Sequence, residues 1–401
     1  MKNYVNNIEE KLFSSCQYSN EIKKIAEYLN NEKHKCFGIQ INQDVDDCSD
    51  FSPLLSHNLN NLGDPFTGKG GHLVTFNYER ELVELVAGYF NIDSSEVWGY
   101  YNPGSTYSNL HGVHLGMSKF ENPTLIISDE AHNSFVKAAR ITRCKAVVKI
   151  KTDQFGRMCP EDFEKQLRIN RTNNYIISFC SGSVTKGAYD DAETLLSVLR
   201  NLGIDKSQYY LHLDAALGGM ITPFLLENPL RLDFSIDEID SLSVSFHKRL
   251  GIPMPGSLFL ARKKTLNTLP DHPYAEHYSS YDTTLGGSRD GFSPFVTLMK
   301  LKKIGYEGMV SRTNHVLEKA KWLCELLRNN DINASCNDYS PCVVLPAPSS
   351  ALLKEYHLPL YASPEGDYTH IFTMEHVKKN AIYTFLDKYL QSNSSNRVGP
   401  T

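Results

Sequence analysis

Two residues of this sequence have side chains whose types and positions suggest covalent chemistry. Lys248 ends the run Ser243-Val244-Ser245-Phe246-His247-Lys248, and Asp214 ends an apolar run that begins at Tyr209. A lysine amine can condense with the aldehyde of pyridoxal phosphate, and a carboxylate can pair with the protonated nitrogen of the pyridine ring. A lysine and an aspartate that end two strand-like runs therefore predict a site for this cofactor.

Short apolar runs alternate with helical patterns through the middle of the chain, and this alternation predicts the scaffold. Runs of this length predict buried strands at 124–127, 146–150, 175–179, 209–213, 242–245 and 257–261. Helices are predicted between them at 106–117, 134–141, 161–167 and 191–202. The order predicts an α/β fold with a mostly parallel sheet covered by helices on both faces. Because ligands collect at the carboxyl ends of such strands, we expect a site among the polar residues that follow them: His132, Ser183, Asp214, His247 and Lys248.

The first of these helices begins with a segment suited to an anion. Gly104, Ser105 and Thr106 lie at its predicted start, where free backbone N–H groups and the helix dipole attract a phosphate. Asp190 is the expected N-cap of the helix at 191–202.

The pattern of elements also predicts a division of the 401 residues into three parts. We expect an N-terminal helical segment at 1–55, a large α/β domain at 56–293 and a smaller α+β domain at 294–401. Within the last part the sequence predicts helices at 316–327 and 377–390, with strands at 342–346 and 369–372.

Composition excludes several classes of function. The net charge of -5 provides no basic field for nucleic acid. No run reaches the roughly 18 apolar residues of a membrane span, and the first residues lack the apolar stretch of a signal peptide. Nine cysteines without a Cys-x-x-Cys motif are typical of a reducing compartment, so we expect a cytoplasmic protein.

The order of the motifs resembles that of the pyridoxal-phosphate-dependent group II amino-acid decarboxylases, especially the bacterial histidine decarboxylases and the plant serine decarboxylases. The resemblance extends from about residue 56 to 385, and its matching stretches are Asn60–Phe66, Trp98–Tyr100, Thr106–Asn109, His132–Ser134, Lys186–Ala188, His212–Ala216, Ser243–Lys248 and Gly287–Gly291.

The resemblance implies a fold-type-I architecture and a role for each matching residue. Lys248 would carry the cofactor, Asp214 would hold the ring nitrogen protonated, and His132 and Ala216 would cover the two ring faces. The phosphate would be bound by Ser105, Thr106, Ser245 and His247. The cofactor of this family lies at a homodimer interface, so the segment 277–289 would serve the neighbouring subunit. Candidates for returning a proton to Cα are His132, Lys248, Tyr278 and Tyr281.

The expected reaction is decarboxylation of an L-amino acid, with histidine to histamine as the leading choice and serine to ethanolamine as the alternative. Several positions depart from the family's pattern: Phe246 in place of a small residue, Pro103 and Tyr107 in place of Asn and Glu, Val184 in place of Thr, and Tyr281 in place of His or Arg. Phe246 and Tyr107 leave other Cα chemistry on the same cofactor open.

Two alternatives from other functional classes remain open. One is a non-catalytic protein built on the same scaffold, and the other is a metal oxygenase with ligands from His212, Asp214 and His277 near Arg289. The segment 63–70 is close to a nucleotide-binding loop but lacks its final Ser or Thr and a preceding strand. His111 and His114 share a helix face without an acidic partner, so we expect no metal.

Overall fold

The strands and helices alternate along the chain as the sequence predicts. The computed structural model describes residues 15–68, 72–227, 229–267, 274–275 and 280–397. Its strands are β1 (Asn60–Leu62), β2 (Val97–Asn102), β3 (Thr124–Ser128), β4 (Ala146–Ile150), β5 (Tyr175–Cys180), β6 (Tyr209–Asp214), β7 (Ser241–Ser245), β8 (Ser257–Arg262), β9 (Tyr274–Ala275), β10 (Ser280–Tyr281), β11 (Ser288–Asp290), β12 (Ser335–Cys336), β13 (Cys342–Pro346) and β14 (Tyr368–Phe372).

The four helices predicted in the large domain are confirmed to within a few residues, whereas its helices at Phe76–Tyr89, Phe246–Arg249 and Lys263–Leu266 were not predicted. The helices are α1 (Ser15–Glu32), α2 (Phe76–Tyr89), α3 (Ser105–Lys119), α4 (Ser134–Thr142), α5 (Pro160–Ile169), α6 (Ala192–Asn201), α7 (Phe246–Arg249), α8 (Lys263–Leu266), α9 (Phe292–Arg328), α10 (Ser350–Glu355) and α11 (Lys379–Arg397). In the described part of the chain, no helix combines the length and the apolar composition that a membrane crossing requires.

A seven-stranded sheet with the order β2-β8-β7-β6-β5-β3-β4 lies at the centre of the fold. Strands β7, β6, β5, β3 and β4 pair in parallel, whereas β8 runs antiparallel to both β7 and β2. Parallel strands end at the same edge of a sheet, so Asp214 at the end of β6 and Ser245 at the end of β7 lie on one edge. The predicted mostly parallel α/β sheet is confirmed.

Both faces of the central strands β3, β5, β6 and β7 are buried, and successive residues of each strand point to opposite faces. Ile176 and Tyr210 pack in one hydrophobic core with α3 and α4, and the following residues Ile177 and Leu211 pack in the other core with α2, α5 and α6. Burial of both faces explains why these strands are short apolar runs without polar alternation.

One local prediction is wrong by a single residue. Asp191 caps α6 by accepting a hydrogen bond from the backbone N–H of Thr194 at 3.1 Å. Asp190 instead lies buried and accepts from the backbone N–H groups of Met158 and Cys180, each at 2.7 Å. Burial raises the pKa of Asp190 to about 6. Because Asp190 and Asp191 are adjacent and of the same type, the sequence pattern alone does not distinguish which of them caps the helix.

The long helix α9 joins the large sheet to a second core. Its backbone is broken at Gly305, where φ is 70° and ψ is 172°. Before this break Leu298 packs in the large core, whereas Leu323 near the other end packs with β13, β14 and α11. Phe37 of the N-terminal segment is also part of that second core. The division at residues 55 and 293 stays a prediction.

Candidate active site

A cavity of about 250 Å³ lies at the carboxyl edge of the sheet. It is bounded by the end of β6, the start of α3, the turn after β5 and the short helix α7. The side chains or backbone of eight residues that the sequence singles out line it: Ser105, Thr106, His132, Asp214, Ala216, Ser245, His247 and Lys248. These residues come from separate elements, and the sheet brings them together.

Asp214 is a buried carboxylate that neutral groups hold in place. Asn109 Nδ2 donates to Asp214 Oδ2 at 2.8 Å, and the backbone N–H of Ala216 donates to Oδ1 at 3.1 Å. Ser243 Oγ donates to Asn109 Oδ1 at 2.9 Å and lies 3.3 Å from Asp214 Oδ1. The side chain of Asp214 is only 6% exposed, and it lines the cavity. A buried carboxylate is stabilised when a cation pairs with it. A protonated ring nitrogen in the cavity would supply that charge.

Behind Asp214, a chain of hydrogen bonds fixes the orientation of Asn109. Tyr210 OH donates to Ser241 Oγ at 2.6 Å, Ser241 Oγ lies 2.8 Å from His212 Nδ1, and His212 Nε2 lies 3.1 Å from Asn109 Oδ1. Burial lowers the pKa of His212 to about 4, so its imidazole is neutral at pH 7. A neutral ring that donates from Nε2 to the Asn109 carbonyl leaves the Asn109 amide free to donate to Asp214.

The start of α3 forms a cluster of hydroxyl groups suited to phosphate. Ser105 Oγ lies 2.6 Å from Ser245 Oγ and 3.0 Å from Ser257 Oγ, and Thr106 also lines the cavity. Gly104 precedes the helix with φ of 130°, a conformation that a residue with a Cβ rarely adopts. Hydroxyl donors at a helix start, where backbone N–H groups are free, match the requirements of a phosphate anion.

Lys248 brings its amine to the cavity from the short helix α7. Its Nζ donates to Gln40 Oε1 at 2.8 Å. Burial lowers the pKa of Lys248, while the negative charge of Asp214 opposes that shift. A lowered pKa increases the neutral fraction of the amine, and only the neutral amine attacks a carbonyl carbon.

Two histidines flank the lysine without carrying charge at neutral pH. Burial lowers the pKa of His247 to about 4, and its Nδ1 lies 3.1 Å from the backbone N–H of Gly256. Desolvation also lowers the pKa of His132, whose Nδ1 accepts from the backbone N–H of Ser134 at 3.1 Å. His132 and Ala216 both line the cavity, and the resemblance assigns them to the two faces of the ring.

Two other predicted residues do not line this cavity. Ser183 lies in the turn after β5, but its Oγ accepts from the backbone N–H of Ala188 at 3.1 Å, while its neighbours Gly182 and Val184 form the cavity wall. Tyr281 is 56% exposed, and Thr67 Oγ1 donates to its backbone carbonyl at 2.7 Å. Tyr278 and His277 lie outside the described residues.

The geometry does not favour the other sites that single motifs suggested. Arg289 forms a buried ion pair with Glu79. His111 is buried and lies 3.0 Å from Tyr100 OH. Within the described ranges, no three His, Cys, Asp or Glu residues form a group that could hold a metal ion. Asp64 of the glycine-rich segment accepts from Trp98 Nε1 at 2.9 Å, whereas residues 69–71 lie outside the described ranges.

Sequence reasoning missed two residues that touch the reacting groups. Asn109 belongs to a matching motif, and its position three residues after Thr106 places both on one face of α3, a signal that could have assigned it. Gln40 carried no signal, because it lies 208 residues from Lys248 in a segment without regular structure.

The residues present fit pyridoxal phosphate on chemical grounds. Lys248 offers the amine, Asp214 offers a buried negative charge, and the start of α3 offers hydrogen-bond donors for a phosphate. When bound, this cofactor supplies a positively charged ring that takes up the electrons left on Cα as CO2 departs. Asp214 would hold the ring nitrogen of the bound cofactor protonated, and the network behind it keeps the carboxylate in one orientation.

Comparisons with known proteins agree with this chemistry. Residues 111–344 match the family described as Pyridoxal-dependent decarboxylase conserved domain. The chain is 32% identical to serine decarboxylase 2 of Oryza sativa subsp. japonica, over 91% of this chain and 76% of that protein. It is 33% identical to a histidine decarboxylase of Solanum lycopersicum (82% and 78% covered) and 31% identical to that of Klebsiella aerogenes (86% and 89%).

Solved structures show the same fold at lower sequence identity. L-methionine decarboxylase from Streptomyces sp.590 superposes with a TM-score of 0.86 at 20% identity, over 95% of this chain and 96% of that one. Glutamate decarboxylase from Lactobacillus brevis gives a TM-score of 0.77 at 16% identity, over 97% and 94%. The expected fold-type-I architecture is therefore confirmed. The matching domain and the extent of these identities make the chain a member of the pyridoxal-dependent decarboxylase family.

Proposed function

We propose that this amino-acid decarboxylase converts L-histidine to histamine. Histidine decarboxylases of a plant and a bacterium are among its relatives at 33% and 31% identity, and each alignment covers more than three quarters of both proteins. The observation that carries the proposal is the charge of the cavity wall. Among the described lining residues Lys248 is the single lysine or arginine, and the family's chemistry uses its amine for the cofactor.

This charge distribution favours a substrate whose side chain carries no negative charge. A side-chain carboxylate would need a cation close by, because burial of an unpaired charge is costly. His247 does not supply one at pH 7, since its pKa lies near 4. Arg289 is already paired with Glu79. The neutral imidazole of histidine meets this condition.

Serine is the second candidate, because its hydroxyl is also uncharged and serine decarboxylase 2 of rice aligns over 91% of this chain. A different Cα reaction has less support. Phe246, one of the departures from the family's pattern, does not line the cavity, and its ring stacks on Tyr101 in the large core with centroids 6.0 Å apart. The departures Pro103 and Val184 do line it.

A substrate panel tests the proposal directly. The holoenzyme is incubated with each common L-amino acid at equal concentration, CO2 release is measured, and the amine is identified by mass spectrometry. We expect the highest kcat/KM with histidine and histamine as product, and no release by the matched variant Lys248→Ala. Preference for serine with ethanolamine as product would replace the proposal, and consumption of an amino acid without CO2 release would contradict decarboxylation.

The proposal includes a cytoplasmic homodimer in which each subunit contributes to its neighbour's cavity. Tyr281 lies in the segment that the resemblance assigns to the neighbouring subunit, and its 56% exposure supports this arrangement. Eight cysteines from Cys36 to Cys342 are free thiols, which supports a reducing compartment. In mixed dimers, a Tyr281→Phe subunit should impair the site of a partner that carries an intact Tyr281. If the subunit with intact Tyr281 is as active beside a Tyr281→Phe partner as it is in the parent dimer, the shared site is contradicted.

A further inference from the structure

A segment of the N-terminal part of the chain runs beside the helix that carries Lys248. The backbone N–H of Asn42 donates to the carbonyl of His247 at 3.1 Å, and Asn42 Nδ2 donates to the carbonyl of Arg249 at 2.9 Å. Asn42 is fully buried. The segment is therefore fixed on both sides of the lysine, and Gln40 lies two residues before this anchor.

Hydrogen bonds determine which end of the Gln40 amide faces the lysine. Its Nε2 lies 3.4 Å from the carbonyl oxygen of Ser183 and 3.3 Å from that of Val184, in the turn that forms a wall of the cavity. Both partners are acceptors, so the amide nitrogen must face them and the carbonyl oxygen must face Lys248. The side chain is only 9% exposed, which limits its freedom to turn over.

The reaction of this family requires Lys248 to leave the cofactor and to return. With the cofactor bound, the substrate amine would take the place of Lys248 on it. The substrate nitrogen would give up two protons in this exchange, and Lys248 Nζ would take up two as it became a free amine. A freed amine on a long flexible side chain needs an acceptor that keeps it near the carbon to which it returns.

We propose that Gln40 is the positioning residue for this freed amine, and that its side-chain carbonyl oxygen holds Lys248 Nζ beside the reacting carbon. The contact of 2.8 Å between Gln40 Oε1 and Lys248 Nζ is the geometry of that held position. The turn at 183–184 orients the amide, and the Asn42 anchor fixes the backbone behind it. The inference depends on the family's lysine chemistry and is independent of the choice of histidine as substrate.

The first test measures Lys248 itself in the full-length chain after removal of the cofactor. The rate of acetylation of Lys248 by acetic anhydride is followed against pH by peptide mass spectrometry. Gln40→Leu removes an acceptor from the charged amine, so we expect the midpoint of this profile to fall by about one pH unit. Gln40→Glu places a negative charge at the same position, so the midpoint should rise.

The second test follows the holoenzyme. In single-turnover mixing with substrate, Gln40→Leu should slow the exchange of amines by about tenfold, the effect of losing one hydrogen bond to a charged group. Gln40→Glu should retain more of this rate, since it keeps an acceptor near Nζ.

Asn42→Ser is the matched control, because it weakens the same segment without touching Lys248. It should lower the temperature of unfolding and move the acetylation midpoint less than Gln40→Leu does, because Gln40 keeps its contacts with the carbonyls of Ser183 and Val184. The proposal is overturned if Gln40→Leu and Gln40→Glu leave the midpoint where it is in the parent protein, or if Asn42→Ser moves it as far as Gln40→Leu does. Because acetylation needs no amino-acid substrate, a wrong choice of substrate would not alter this outcome.

Discussion

At the scale of single residues, the site holds the carboxylate of Asp214 with neutral groups that leave its negative charge in place. Neutral donors hold both of its oxygens, and the Asn109 amide that holds one of them is itself fixed by His212 and Ser243. None of these donors cancels the charge. The carboxylate is therefore available to keep a pyridine nitrogen protonated throughout the reaction.

Asp214→Asn should slow the chemical step by about 10² to 10³ fold, the range found when one preorganised electrostatic group is removed from an active site. The amide keeps the size of the side chain but loses the charge. CO2 formation is measured in single turnovers at saturating cofactor. Ser243→Ala is the control, since it removes a neutral hydroxyl that lies 2.9 Å from Asn109 Oδ1 and 3.3 Å from Asp214 Oδ1 but keeps the charge of Asp214, and it should cost less than tenfold. A rate in Asp214→Asn within a factor of two of the parent rate would contradict this role.

The neutral state of His212 gives a prediction for stability against pH. Its pKa is about 4 in the folded protein and about 6.5 in an unfolded chain. Between these values the unfolded state binds a proton that the folded state does not, so the free energy of unfolding falls as the pH decreases from about 6.5 to 4. The free energy of unfolding of His212→Asn is measured by urea denaturation at several pH values in this range. Its dependence on pH should be less steep than that of the parent protein, by the equivalent of about one proton. An unchanged dependence on pH would mean that His212 is not buried as a neutral ring.

Most residues of the site could be predicted because each follows a strand or begins a helix in a recognisable run. Lys248 and Asp214 are such residues, and the parallel sheet makes their meeting a consequence of strand order. Gln40 could not be predicted, since its contact with Lys248 joins positions 208 residues apart through tertiary packing alone.

At the scale of elements, the close approach of α3 to the sheet decides whether Asn109 can reach Asp214. Gly112 makes this approach possible, because a Cβ at that position would lie 2.5 Å from His212 Nδ1. The helix therefore lies against the imidazole that orients Asn109. The packing of helix α3 against strand β6 therefore requires a glycine at position 112, which the sequence pattern did not indicate.

Gly112→Ala should destabilise the protein by about 1–3 kcal/mol, because the added methyl group forces a buried ring or the helix to move. Urea unfolding measures the change. Gly88→Ala in α2 is the control: no heavy atom lies within 4 Å of the position of its Cβ, and alanine favours the helix, so a gain of about 0.5–1 kcal/mol is expected. Equal effects of the two substitutions would contradict the close packing at Gly112.

The sequence predicted six of the seven central strands, and the exception has a physical explanation. Strand β2 contains Gly99 and adjacent aromatic residues, a mixture without the apolar run or alternation that indicates a strand. Its pairing with β8 is a tertiary feature, and Gly99 is needed there because a Cβ would lie 2.4 Å from the carbonyl oxygen of Phe259.

At the scale of the whole molecule, one buried ion pair ties the helix of Lys248 to the C-terminal core. Arg249 Nη1 donates to both carboxylate oxygens of Glu375 at 2.7 Å. The arginine is 1% exposed, and its Nε and Nη2 have no hydrogen-bond partner among the residues that the structure describes. Glu375 therefore stabilises the buried positive charge of Arg249, the residue that follows Lys248. Glu375 also accepts a hydrogen bond from Asn42 Nδ2 at 2.8 Å.

Glu375→Ala should lower the free energy of unfolding by about 3–5 kcal/mol, since it leaves Arg249 buried without its partner. Glu164→Ala is the matched control: its pair with Arg168 lies on the surface, with side-chain exposures of 44% and 62%, and should contribute less than about 1 kcal/mol. Chemical denaturation of both variants gives the comparison. A loss in Glu375→Ala no larger than in the control would show that this pair does not join the two cores.

The most direct test of the account is the identity of the lysine that binds the cofactor. The holoenzyme is reduced with borohydride, which converts a lysine–cofactor double bond into a stable single bond, and the digested peptides are analysed by mass spectrometry. We predict that the added mass lies on Lys248 and is lost in Lys248→Ala together with CO2 release. A cofactor found on another lysine, or amino-acid decarboxylation that persists in Lys248→Ala, would contradict the account.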